Sequence, residues 1–254
     1  MTETPYKTII QNNLRINYFE SVSSTMDIAR KMSQSNCLDN TIVIANRQHC
    51  GRGRLQRQWF SDLGGLYMTW IIRPQLEIHQ CFAYTFSAAL SIVLTLDQLF
   101  QITAHVKWPN DVLIKSQKIA GILTETQFEN NQFNYLNIGI GINVNNQIEA
   151  DAFESICIYD IAQTHIDLDM FTQALCKNLS THFFNIGVEN VLESWKLHNC
   201  TLGNKVRIVL QDCIIEGLAV DINQDGALIV ACKNGQLKTV TYGDCILNKK
   251  RRPT

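Results

Sequence analysis

The chain has no surplus of either charge: 22 Lys and Arg against 23 Asp and Glu leave a formal net charge of -1 over 254 residues. A protein that lives on the nucleic-acid backbone needs a basic surplus, so a purely electrostatic RNA or DNA binder is disfavoured. Paired cysteines are missing too. The nine cysteines are scattered, form no Cys-x-x-Cys pair and have no Cys/His spacing that would close a zinc site. They read as reduced thiols in a cytosol. Met1 to Asn13 lacks the basic-then-apolar layout of a signal peptide. The longest apolar stretch, Phe82 to Leu96, is shorter than a membrane span of about 20 residues. It is broken by Thr85, Ser87, Ser91 and Thr95, and so reads as a buried core helix. The Gly-x4-Gly-Lys-Ser/Thr of a P-loop is absent, and Gly139-Ile140-Gly141 lacks the third glycine of a dinucleotide fingerprint. The usual nucleotide folds are therefore disfavoured, and no internal repeat points to a solenoid.

What is present is an ordinary globular composition, 46% hydrophobic and 18% charged, in a chain long enough to bury a real core. A short helix is expected from Ser24 to about Lys31, capped from Ser23-Ser24-Thr25, followed by a buried strand at Thr41 to Ala45. A Gly/Arg-rich segment, Gln48 to Trp59, then leads to a strand at Leu66 to Ile72 that breaks at Pro74. Ile78 to Phe100 reads as a long core helix. From Asp111 to Val144, β-rich runs separated by Ser116-Gln117 and Asn130-Asn131 read as an antiparallel meander. Helical spacing returns from Asp169, placed as a cap, to Phe184, and again from Val188 to Leu197. After Cys200 come four short strands with hairpin turns at Asp225-Gly226 and Asn234-Gly235. The expected division is a catalytic domain at 1–199 and a small SH3-like β-barrel at 200–254. The terminal run Lys249-Lys250-Arg251-Arg252 reads as solvated charge.

Three clusters can carry chemistry. Gly51-Arg52-Gly53-Arg54, with Arg57 and Trp59 behind it, offers close backbone approach, guanidinium forks for phosphate or carboxylate, and an aromatic face for a purine. The bland alternative is a flexible basic loop. Lys107-Trp108-Pro109-Asn110-Asp111 sets polar side chains on a proline turn, where Asn110 and Asp111 can meet a ribose or a phosphate-bound Mg²⁺, or simply form the turn. In Lys118-Ile119-Ala120-Gly121-Ile122-Leu123 a lysine enters an apolar strand. It can hold a carboxylate and stabilise charge on an acyl-phosphate oxygen, or merely reach solvent.

In order along the chain, Ser24-Thr25, Gln48, Gly51-Arg52-Gly53-Arg54-x-x-Arg57-x-Trp59, Lys107 to Asp111, Lys118 to Leu123 and Gly139-Ile140-Gly141-Ile142-Asn143 closely resemble the biotin protein ligase family. The resemblance implies an α/β domain with a mixed sheet and helices on one side, similar to the class II aminoacyl-tRNA synthetase core, followed by the small barrel. It implies that biotin's carboxylate attacks the α-phosphate of ATP to give biotinyl-AMP and pyrophosphate, and that a carrier lysine then attacks the anhydride. By the same resemblance Ser24, Thr25, the Met26 position, Gln48 and Gly121 belong to the biotin pocket. Lys118 meets the carboxylate and later the adenylate, and Arg52, Gly53 and Arg54 fold over the intermediate. Arg57, Trp59, Asn110, Asp111 and Asn143 fall on the adenylate side. Lys118 and Arg54 are the catalytic candidates. No dedicated metal site is implied, magnesium arriving as Mg-ATP. The implied partner is a biotin carboxyl carrier domain, in the cytoplasm, with no membrane and no DNA. The oligomeric state stays open, a homodimer included.

Two departures stand out. Met26 occupies the place where the family usually has Asn, and only about 23 residues precede Ser24, too few for a winged-helix DNA-binding domain, so a ligase that is not also a repressor is expected. The nearest rival is a lipoate or octanoate protein ligase, against which the full Gly/Arg run and the C-terminal strands argue. A nucleic-acid-binding module is the rival of a different class.

Overall fold

The computed structural model of the protein describes residues 4–11, 13–129, 132–148 and 154–247. The basic run at Lys249 to Arg252 and the turn at Asn130-Asn131 lie outside them. The chain opens with β1 (Lys7–Gln11) and β2 (Leu14–Val22), then α1 (Thr25–Gln34), β3 (Thr41–Gln48) and β4 (Leu66–Ile72). Next come α2 (Phe82–Phe100), β5 (His105–Lys107), β6 (Asp111–Ile114), β7 (Gln117–Glu129) and β8 (Gln132–Ile142). Three helices follow, α3 (Ile158–Ala162), α4 (Leu168–Phe184) and α5 (Val188–His198). The chain ends in β9 (Lys205–Val209), β10 (Ile214–Ile222), β11 (Leu228–Cys232), β12 (Leu237–Val240) and β13 (Asp244–Leu247). The first eight strands form one mixed sheet in the order β1-β2-β3-β4-β8-β7-β6-β5. Among the described residues, the β2–β3 strand pairing is the only parallel one in it.

The two faces of that sheet follow the period-2 rule for strands. On one face Ile42, Ile44, Met68, Trp70, Ile138, Ile140 and Ile142 pack with α2, α4 and α5 into the main core. On the other, Val43, Ala45 and Ile71 meet α1 through Ile28 and Ala29 in a second, smaller cluster. The expected single-sided arrangement is thus corrected: α1 covers the face opposite the other helices. β8 shows why this matters. Its Ile138, Ile140 and Ile142 feed the main core, while the small or polar Asn137, Gly139 and Gly141 between them face α1, leaving room for a cavity there.

Segment Ile78–Phe100 has the length and apolarity to cross a membrane, longer than the apolar run seen from sequence, but 67% of its most apolar stretch is buried inside the protein. That is the burial of a core helix. Its first turn is a separate 3₁₀ segment, Ile78–Gln80. The cap of α4 is Asp167, not Asp169: the Asp167 carboxylate accepts from the backbone N–H groups of Asp169 and Met170 at 2.9 and 3.1 Å.

The C-terminal part has five strands rather than four, in the antiparallel order β12-β11-β10-β9-β13. Among the described residues no pairing joins β12 to β13, so the expected closed barrel is an open sheet. These two short strands pair with β11 and β9 respectively, which leaves the ring of hydrogen bonds incomplete. This sheet docks on the β5–β6 edge of the first, where Trp108 is 1% exposed. Its backbone N–H donates to Thr201 Oγ1 (2.9 Å) and its indole N–H to the Gly226 carbonyl (3.0 Å). The Trp108-Pro109 peptide is cis.

Candidate active site

A cavity of about 320 Å³ opens on the α1 face of the large sheet, at the small end of the range for small-molecule sites. Of the candidates named from the sequence, Ser24, Thr25, Met26, Gln48, Arg52, Gly53, Arg54, Arg57, Trp59, Asn110, Asp111, Lys118, Gly121 and Asn143 line it, and Gly51 does not. A larger cavity of about 1160 Å³ adjoins it between the two sheets, sharing Arg54, Asn110, Asp111 and Lys118.

One wall is a hydrogen-bonded relay. Of the three possible caps, Ser24 starts α1, its hydroxyl accepting from Met26 N–H at 3.3 Å. Thr25 follows with both its N–H and its hydroxyl donating to Gln48 Oε1 (2.8 and 3.1 Å), and its oxygen accepts from Thr69 (2.9 Å). Gln48 Nε2 donates to Ser61 Oγ (2.8 Å), which donates to the Trp59 carbonyl (3.0 Å). These partners fix which way the Gln48 amide faces. Met26 is 3% exposed and its sulfur rests on Gly139, where a Cβ would lie 2.6 Å from it. In place of a polar contact it supplies apolar wall.

The Gly/Arg segment is not a floppy basic loop. It folds back on itself as a miniature hairpin: Gly53 N–H donates to the Arg57 carbonyl (2.7 Å) and Trp59 N–H to the Gly51 carbonyl (2.9 Å). Leu55 and Gln56 turn the corner at φ 53° and 59°. Gly51 serves this packing rather than a ligand, because a Cβ there would lie 2.3 Å from the Trp59 carbonyl oxygen. The arginines diverge. Arg54 donates to Asn110 Oδ1 (3.1 Å) and to the Gly243 carbonyl (3.3 Å), and its burial pulls its pKa down. Arg57 pairs with Asp244, tying the loop to the C-terminal sheet. Arg52 turns toward Asp27 and Glu125.

Lys118 stands opposite the loop, its ammonium 2.6 Å from Asp111 and 5.2 Å from the centre of the Trp59 ring. A bulge between β6 and β7 skips one residue of register at Ile119. In a regular strand residues three apart face opposite ways; the bulge puts Lys118 and Gly121 on the same face, so that a Cβ on Gly121 would lie 3.2 Å from Lys118 Nζ. Asn110 is held by its amide donating to the Ile122 carbonyl (2.6 Å), and Asn143 accepts from Asn146 (3.2 Å). Trp59 lies flat against two glycines: a Cβ at Gly141 would come within 2.5 Å of its ring. Gly141→Ala should therefore lift Trp59 off Lys118, read as a change in tryptophan emission that is absent when Trp59→Phe is already present.

Residues 18–143 match the biotin/lipoate A/B protein ligase family, and residues 201–248 match the biotin protein ligase C-terminal domain. Across 86% of this chain and 70% of the relative, 31% of residues are identical to the bifunctional ligase/repressor BirA of Bacillus subtilis. The chain belongs to the biotin protein ligase family. A second member of the family, the biotin–[acetyl-CoA-carboxylase] ligase of Paracoccus denitrificans, is 27% identical over 74% of this chain and 82% of its own. Among solved structures, the biotin protein ligase of Aquifex aeolicus in complex with biotin and ATP superposes with a TM-score of 0.76 at 26% identity, covering 92% of this chain and 99% of that one.

Within this family member several site residues escaped the motif reading. Ser61, Thr69 and Asp244 complete the relay and the loop anchors, and Asp27, Arg30 and Glu125 surround Arg52. The Asn-x-Gly-x-Gly alternation of β8, whose glycines were read only as an incomplete dinucleotide fingerprint and a family motif, is the sequence signal that one sheet face is kept small. Among the described residues no group of three or more His, Cys, Asp and Glu side chains is placed to hold a metal ion.

Proposed function

We propose that the protein activates biotin with ATP to biotinyl-AMP, releasing pyrophosphate, and transfers the biotinyl group to a lysine of a biotin carboxyl carrier domain, releasing AMP. The observation that carries this is the cavity in which Lys118 faces the folded Gly/Arg hairpin across a pocket with both apolar and hydrogen-bonding walls. In the first step biotin's carboxylate displaces Asp111 from Lys118 and attacks the α-phosphate, and the ammonium balances charge building on the reacting oxygens. Arg54, poorly solvated and already anchored by Asn110, is the second cation at that point. In the second step the carrier lysine's amine attacks the carbonyl carbon and AMP leaves. The hairpin covers the anhydride and keeps water from it meanwhile.

Ser24, Thr25, Met26, Gln48 and Gly121 take the biotin end, and Arg57, Trp59, Asn110, Asp111 and Asn143 the nucleotide end. Both cavity carboxylates, Asp111 and Asp244, are held by cations of the chain, which supports magnesium arriving with ATP. We assign the catalytic domain to 1–199 and a C-terminal SH3-like unit to 200–254, working in the cytoplasm. The match at 201–248 favours biotin over lipoate.

The test is ATP–pyrophosphate exchange by purified protein with biotin, with lipoate and with no acid. Exchange strictly dependent on biotin, followed by label transfer to a carrier domain, is expected. Exchange driven by lipoate instead would move the protein to the rival activity, and exchange with neither acid would remove adenylation altogether.

A further inference from the structure

Arg52 and Arg54 are neighbours in the motif but have opposite fates. Arg54 points across the cavity mouth to Asn110 and Gly243. Arg52 lines the cavity, yet its partners Asp27 and Glu125 do not. Its Nη2 lies 2.9 Å from Asp27 Oδ1 and 3.4 Å from Glu125 Oε1. Arg30 shares the same two carboxylates, 2.7 Å from Glu125 and 3.6 Å from Asp27. Two guanidiniums and two carboxylates thus close a neutral quartet. The hold on Arg52 is coulombic: its Nε and Nη2 are shielded from solvent and neither is aligned for a hydrogen bond.

The quartet joins three elements that the site needs in register. Asp27 and Arg30 sit on α1, whose first turn carries Ser24 and Thr25; Glu125 sits on β7, which carries Lys118 and Gly121; Arg52 sits on the hairpin. An arginine already balanced by two carboxylates has little positive field left for a phosphate. We propose that Arg52 is a positioning residue, the latch that pins the hairpin shut over the adenylate through Asp27 and Glu125, rather than a contact to the ligand's own anion. Opening the hairpin breaks the Arg52 pairs and leaves Arg30 to hold both carboxylates, so the quartet has a ready open state.

This rests on the ligase reading above, and its test is separable from it. Enzyme loaded with labelled biotinyl-AMP is chased with unlabelled intermediate, and release is timed. Arg52→Gln should speed release about fivefold, Glu125→Gln by less because the nearer Asp27 stays, and the double variant no more than Arg52→Gln alone, because the arginine's pairs are already gone. Arg52→Lys should restore part of the retention. Since the quartet is about one-third exposed, added salt should hasten release from the wild type more steeply than from Arg52→Gln, in which only the other ion pairs remain to be screened. That salt comparison stands even if Glu125→Gln folds poorly. Release sensitive to Arg52→Gln but to neither Asp27→Asn nor Glu125→Gln, or rates that multiply in the double variant, would overturn the latch and make Arg52 a direct ligand contact. A wild type that forms no adenylate would instead overturn the ligase reading.

Discussion

Lys118→Ala should lower the rate of adenylate formation about 10²- to 10³-fold, the usual cost of removing one preorganised group that faces developing charge. The lysine lines the cavity, its ammonium 2.6 Å from Asp111 and 5.2 Å from the centre of the Trp59 ring. In the role proposed for it the ammonium meets biotin's carboxylate before reaction and the reacting oxygens during it, so KM for biotin should rise while kcat falls. The fold should survive. The lysine side chain is 31% exposed and Asp111 18%, so the abandoned carboxylate costs no more than about 1–2 kcal/mol, a few degrees in Tm for a chain of this size. Lys118→Arg keeps the charge, but its planar fork does not reproduce the compact ammonium held 2.6 Å from Asp111, so it should recover only part of the rate. Normal biotin-dependent exchange in Lys118→Ala would remove this residue from the site.

Much of this could be read from the sequence because the strong signals were local. β4 fell at Leu66 to Ile72 and β8 near Tyr135 to Val144 because their apolar patterns are long and unambiguous. The motif residues likewise converge on one cavity. What stayed hidden depends on pairing between distant segments. The N-terminal strands β1 and β2 are an exception: Asn12-Asn13 between them is the same kind of turn signal as Asn130-Asn131 and went unread, although these strands complete the sheet edge. The side of the sheet that α1 covers is decided by the parallel β2–β3 crossover, which composition does not reveal. The bulge at Ile119 puts Lys118 and Gly121 on one face only once β6 is in register, and Asp27 and Glu125 meet Arg52 only once α1, β7 and the hairpin are all in place. Gly51 was read as a ligand-approach glycine, but the space it leaves is filled by the chain itself.

The lysine–tryptophan–proline–asparagine–aspartate motif divides in the same way, and Trp108 gives the largest expected effect on stability. Although it stands between residues of the site, its ring is buried between the two sheets, in one continuous core with Val206, Ile208, Leu228 and Val230. Trp108→Ala removes that packing, worth about 3–5 kcal/mol, and strands the Gly226 carbonyl for about 1–3 kcal/mol more. At roughly 2–4 °C per kcal/mol the Tm should fall by 10 °C or more. Trp108→Phe keeps most of the buried area and loses only the indole hydrogen bond, so its drop should be a fraction of that. Activity should fall with stability, because Arg54 and Arg57 anchor the hairpin on Gly243 and Asp244 of the sheet that Trp108 docks. Biotinyl-AMP should therefore leak from Trp108→Ala well below its melting temperature. A variant with wild-type Tm and a selective loss of exchange would show instead that the indole serves the ligand. The present geometry assigns it to the joint between the sheets, through which the C-terminal strands hold the hairpin over the active site.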